Sequence, residues 1–313
     1  MSSLADAYAR IRHGRKIHGI AAALLPFRSD GTIAEEDFAR HLQATHTAGL
    51  LNAVNMDTGY ANLLGDAEKE RVLEITREAL GPAAEFVAGA FIEGRPGDVV
   101  DLYRGEIERI RRFGGTPILF QTSRLHPCSP AEKAAAYREI CRGQGAVLGF
   151  ELGRMFAPNG EIWDEETFRR MLDIPELIGA KHSSLSKREE LRRLELRDLH
   201  RPDFRVYTGN DLGIDMIEYG SDYLLGLATF CPEQFAARDR MWERGDLAYL
   251  ELTEAIQFLG NVAFRTPVPA YKHSAAHFLH MQGRLETSRT HPASPARPDW
   301  EPEILRACLQ RLQ

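Results

Sequence analysis

Lys181 is the one charged residue in the run Leu177-Ile178-Gly179-Ala180-Lys181, which has the composition of a buried strand. Burying an ammonium costs free energy unless it is paired, reaches water at the strand mouth, or gives up its proton. The third possibility carries chemistry, because a neutral lysine amine attacks a carbonyl carbon and forms a Schiff base. The plainer alternative is a lysine that marks where the strand meets solvent. Other groups able to move protons stand on or just after apolar runs: Glu93, His126, Glu151 and His182. Imidazole and a desolvated carboxylate can both be tuned toward neutral pH. A lone histidine or glutamate, however, more often serves as a solvated or structural partner. Tyr60 offers a phenol from a loop, where the alternative is simple packing.

Bringing such groups to one point requires a scaffold, and the chain supplies a regular one. Strand-like runs recur at residues 18–24, 51–56, 85–91, 117–120, 146–150, 177–181, 204–207 and 223–227. Most are followed by helical periodicity, as from Ala34 and over 66–79, 98–113, 131–142 and 187–199. Eight such units predict an α/β fold, a (β/α)8 barrel, for which about 250 residues is typical. No Gly-x-Gly-x-x-Gly turn follows the first run, which weighs against an open dinucleotide-binding sheet. The barrel is expected over residues 1–230. Residues 231–313 are expected to hold the last barrel helix and a C-terminal helical region, too short for a core of its own and packed on the barrel.

Composition narrows the function classes. A net charge of −6 and a pI near 6.0 argue against a nucleic-acid partner. No apolar run approaches the roughly 20 residues that span a bilayer, so no membrane partner is expected. The four cysteines, at 128, 141, 231 and 308, are widely scattered, with no pair at metal or redox spacing. The N-terminus lacks the basic-then-apolar order of a secretory signal. A reduced, cytoplasmic protein follows.

Five segments in order resemble the dihydrodipicolinate synthase and N-acetylneuraminate lyase family of Schiff-base aldolases. They are Gly19-Ile20 with Leu24-Leu25-Pro26-Phe27, then Asp57-Thr58-Gly59 with the helix after it, and Ile178-Gly179-Ala180-Lys181-His182-Ser183-Ser184. Thr208-Gly209-Asn210-Asp211 and Thr266-Pro267-Val268-Pro269 complete the series. The resemblance implies a barrel in which Lys181 condenses with a 2-oxo acid such as pyruvate. It also implies Arg154 and Thr58 on the substrate carboxylate, no cofactor or metal, and a homodimer or homotetramer. Asp57, Tyr60, Asn210 and His126 are further candidates for contact with substrate, Asn210 and its neighbour Asp211 being turn formers first and substrate contacts second.

Departures from the family pattern are equally specific. The tyrosine that shuttles protons from the fifth strand is absent, and Phe150, or Gly149 if the alignment is shifted by one residue, takes its place. A second tyrosine, expected after the fourth strand, is missing from residues 121–127. Asp57 stands where the family has the first of two threonines, so it repels a substrate carboxylate unless it is protonated or paired with a cation. The expected function is therefore a lyase or aldolase other than dihydrodipicolinate synthase itself, with Glu151 or His182 as catalytic replacements for the tyrosine. A non-catalytic or ligand-sensing descendant is the alternative. A metal site built from Asp57, Glu93, Glu151 and His182 is a further one, since oxygen and imidazole ligands suit a divalent ion.

Overall fold

The computed structural model describes residues 3–313. Eight parallel strands close into a barrel in sequence order, β1 (Gly19–Ala22), β2 (Leu51–Val54), β3 (Phe86–Ala90), β4 (Thr116–Leu119), β5 (Val147–Leu152), β6 (Leu177–Ser183), β7 (Arg205–Thr208) and β8 (Asp222–Leu225). Hydrogen bonds between β1 and β8 complete the ring, with Ile20 opposite Leu224. A short helix α1 (Leu4–Tyr8) precedes the barrel. Its outer layer holds α2 (Glu35–Ala48), α3 (Asp66–Leu80), α4 (Val99–Arg112), α5 (Pro130–Cys141), α6 (Glu165–Met171), α7 (Lys187–His200) and α8 (Pro232–Arg244). Between β7 and β8 the connection is a 3₁₀ segment, Ile214–Tyr219, in place of an α-helix.

Alternation along each strand divides the core in two, as the period of two requires. Ile20, Ala22, Ala53, Val87, Ile118, Leu148, Phe150 and Leu224 pack inside the barrel. Ala21, Val54, Phe86, Ala88, Leu119, Val147, Leu177 and Ala180 pack outward against the helices. Helix starts carry local signals: Asp98, Ser129, Asp164 and Ser186 each accept a backbone N–H of the following turn.

The C-terminal region consists of α9 (Tyr249–Ala263), α10 (Tyr271–Met281) and α11 (Glu301–Arg311). Helix α11 packs on both α9 and α10. Buried Glu301 at its start accepts Ser274 and Arg265. The first turn of α10 brings Tyr271 and Lys272 down onto the loop after β2. Among the described residues no helix is long and apolar enough to cross a membrane.

Candidate active site

Lys181 lies on the interior face of β6, opposite Phe150 of β5, two residues before the strand ends. Its side chain is buried at 7% exposure, with Nζ 4.6 Å from the centre of the Phe150 ring. Among the described residues the amine has no hydrogen bond and no carboxylate within ion-pairing distance. Burial lowers its pKa below the ordinary lysine range, against the opposing pull of the Asp211 and Asp57 carboxylates. Gly209 on the adjoining loop makes room for it. A Cβ at that position would stand 2.7 Å from Lys181 Cε and closer still to Ser183 Oγ.

Around the amine is a narrow hollow of about 10 Å³ at the C-terminal end of the barrel. Its apolar wall is Phe150, Leu152 and Phe156; its polar wall is Asp57, Thr58, Asp211 and Tyr271. Asp211 is buried and accepts the Leu227 N–H at 2.7 Å. Burial pushes its carboxyl up to about 7, with Lys181 pulling the other way. Asp57 accepts the Tyr271 hydroxyl at 3.0 Å, and Lys272 Nζ stands 3.4 Å from its other oxygen. The acid that looked repulsive in sequence thus faces a buried cation. Thr58 and Tyr271 oxygens are 2.7 Å apart. Because the Tyr271 proton goes to Asp57, Thr58 donates to Tyr271.

Phe150, rather than Gly149, occupies the interior position where the resemblance calls for tyrosine. Gly149 faces outward, where a Cβ would collide with Trp163 at 2.7 Å. After β4, Leu125 is buried in the core and brings no hydroxyl.

Two expected catalytic residues stand elsewhere. Glu151 and His182 neighbour Phe150 and Lys181 in sequence, and so point to the opposite face, into the helix layer. Glu151 is fully buried, with Arg193 Nη2 at 2.8 Å, His182 Nδ1 at 2.8 Å and the Trp163 N–H at 3.1 Å. Burial alone would raise its pKa, but Arg193 and His182 outweigh that and hold it at about 2. His182 Nδ1–H donates to the ionised Glu151, and His182 Nε2 lies 2.7 Å from Ser184 Oγ. This chain of contacts ties α7 to β5 and β6 and does not reach the hollow.

The other candidates also separate. Glu93 accepts Thr122 Oγ1 at 2.6 Å and the Ser123 N–H at 3.0 Å, which bind the loop after β4. His126 Nε2 lies 3.1 Å from the Asn159 carbonyl. Asn210 is buried in its turn, its Oδ1 accepting the Leu212 N–H. Tyr60 packs against Phe27 and His291. Arg154 is exposed on the loop after β5, outside the lining of the hollow. The metal set considered above is therefore not assembled. Among the described residues no group of three or more His, Cys, Asp or Glu is placed to hold an ion.

No protein-family model matches the chain, and no curated protein matches it in sequence. Solved structures do match, over nearly the whole chain. Dihydrodipicolinate synthase from Thermotoga maritima superposes with a TM-score of 0.79 at 17% identity, over 95% of this chain and 99% of that one. A prophage protein of the dihydrodipicolinic acid synthase family from E. coli K12, in complex with pyruvate, gives 0.81 at 15% identity, over 95% and 98%. The synthase from Acinetobacter baumannii, also complexed with pyruvate, gives 0.78 at 16% identity, over 95% and 99%. The fold is that of the dihydrodipicolinate synthases. At such identities the likeness concerns the backbone, and the side chains must be read on their own.

Read that way, the fold brings Lys181, Asp57 and Thr58 together at one hollow and disperses the remaining candidates. It also adds Tyr271 and Lys272, which the sequence pattern did not single out, and brings in Asp211, read there as a turn former first and a substrate contact second. Asp211 carried a signal, an acid two residues beyond a glycine that closes an apolar strand. Tyr271 and Lys272 carried none.

Proposed function

We propose that this chain is a lyase of the class I aldolase type that forms a Schiff base between Lys181 and a small 2-oxo acid such as pyruvate. The observation that carries this reading is the Lys181 amine itself. It is buried, has no bound partner among the described residues, and faces a hollow with carboxylates on its rim. Burial favours the neutral, nucleophilic form. The fold likeness to proteins crystallised with pyruvate supports the same substrate class.

Imine formation needs an acid to release the carbinolamine oxygen as water. Asp211, with its carboxyl near 7, is suited to hold that proton at neutral pH. With the Thr58 hydroxyl proton engaged by Tyr271, the substrate carboxylate would rely on other donors, and Arg154 can serve only from the rim. The hollow encloses only about 10 Å³, far below the roughly 300–1,000 Å³ of sites for drug-sized ligands, which favours the smallest 2-oxo acids and requires the side chains around it to move apart. The proposal stops short of dihydrodipicolinate synthase activity, because Phe150 stands in the tyrosine's place. That same phenylalanine favours a second reading, a ligand sensor that forms the imine without turnover. Assembly into dimers or tetramers belongs to the proposal.

Treatment with pyruvate and borohydride tests the reading. The expected result is a reduced adduct located on the Lys181 peptide by mass spectrometry. Failure of pyruvate and of other 2-oxo acids to leave one would overturn it. Release of a cleavage or condensation product would separate the lyase from the sensor.

A further inference from the structure

Tyr271 comes from the C-terminal region, yet its hydroxyl ends in the hollow beside Lys181. Its ring is stacked on Phe264 at 4.3 Å between centres and nearly parallel. Gly226 lies against the ring edge, where a Cβ would come within 3.1 Å of Tyr271 Cε2. The phenol is therefore held in place from both sides. It is hydrogen-bonded in a line, with Thr58 donating to Tyr271 and Tyr271 donating to Asp57. Burial and the Asp57 charge both push the phenol pKa well above the ordinary value, so the resting group is neutral. Lys272 faces Asp57 at 3.4 Å and offsets the negative charge of the acceptor.

We propose that Tyr271 is the catalytic residue that moves the proton on the carbon next to the imine, with Asp57 as the terminal acceptor. This rests on the Schiff-base reading of Lys181. In the forward step the C3–H bond of the pyruvyl iminium breaks and its proton passes to Tyr271 Oη. The Tyr271 proton passes at the same time to Asp57 Oδ2. The C–H electron pair forms the C2–C3 double bond, and the C2–N π pair returns to nitrogen. A cationic iminium and a carboxylate become a neutral enamine and a carboxylic acid, so charge and atoms balance. Reversal returns a proton to C3. Phe150 cannot do this, having neither donor nor acceptor, and the relay is complete within one subunit.

The test is exchange of the pyruvate methyl protons in deuterium oxide, followed by NMR, beside borohydride trapping. Tyr271→Phe is expected to keep the Lys181 adduct while enzyme-dependent exchange falls about 10²–10⁴-fold, the usual worth of a positioned acid–base group. Asp57→Asn, which keeps the phenol and removes its acceptor, should show the same split and carries the test if Tyr271→Phe does not fold. Exchange at the wild-type rate in a variant that still traps would overturn this proposal alone. So would a folded Tyr271→Phe protein that forms no adduct while the wild type does. A wild type that traps nothing on Lys181 would overturn the Schiff-base reading and this proposal with it.

Discussion

Lys181→Ala is expected to reduce borohydride-trapped adduct to background, while the barrel keeps its fold. The side chain makes no ion pair or hydrogen bond among the described residues, so no partner is orphaned by its removal. What is lost is about the packing of one lysine stem, and unfolding by urea should show a small change. The chemical loss should be total because among the described residues no other amine lines the hollow, and Lys272 is engaged with Asp57. The wild-type pH profile of initial trapping adds a second readout. Each unit by which burial lowers the lysine pKa raises the neutral fraction at pH 7 about tenfold. Trapping therefore rises with pH toward a midpoint below the ordinary lysine value of 10.5. Above about 7 the Asp211 carboxyl loses the proton that dehydration uses, which bends the profile downward. Trapping in Lys181→Ala at the wild-type level would place the nucleophile elsewhere.

The parts of this site legible in the sequence are those whose signal is local. Lys181 stood out because an ammonium at the end of an apolar run contradicts its surroundings. The eight strands stood out as apolar runs, with ends correct to within a few residues; β6 extends past the lysine to Ser183. Glu151 and His182 show the cost of reading proximity along a strand as proximity in space. Adjacent strand residues face opposite sides, so the immediate neighbours of two interior side chains were bound to face the helices. Tyr271 and Lys272 were not legible for a different reason. They meet Asp57 across 214 and 215 residues of chain, and only the docking of α10 on the barrel sets that distance. Asp57 shows the same limit from the other side. The missing cation was a condition the sequence could state but not supply.

Glu151→Ala should destabilise the fold by about 3–5 kcal/mol, because it leaves the Arg193 charge buried without its ion-pair partner. Arg193 is only 4% exposed and donates to Glu151 and to the Trp163 carbonyl. With Glu151 gone, the guanidinium keeps the Trp163 carbonyl and the Phe168 ring but no hydrogen-bonded carboxylate, and the Trp163 N–H and His182 Nδ1–H lose their acceptor as well. Urea unfolding of the variant should show a lower midpoint. Any loss of Lys181 trapping should follow the loss of fold, since Glu151 does not touch the hollow. The pH dependence has a defined sign. Glu151 is held at about 2, below the ordinary glutamate value of 4.5. Its ionised form therefore stabilises the fold above 4.5, and that contribution, roughly 3 kcal/mol, disappears as pH falls toward 2. Glu151→Gln, which cannot ionise, should lack this part of the acid limb, so the wild-type and variant stability curves converge only as pH falls toward 2. Parallel curves through that window would mean that the Glu151–Arg193 pair is not what couples stability to pH. A Glu151→Ala protein with wild-type stability but impaired trapping would return Glu151 to the chemistry and remove it from the scaffold.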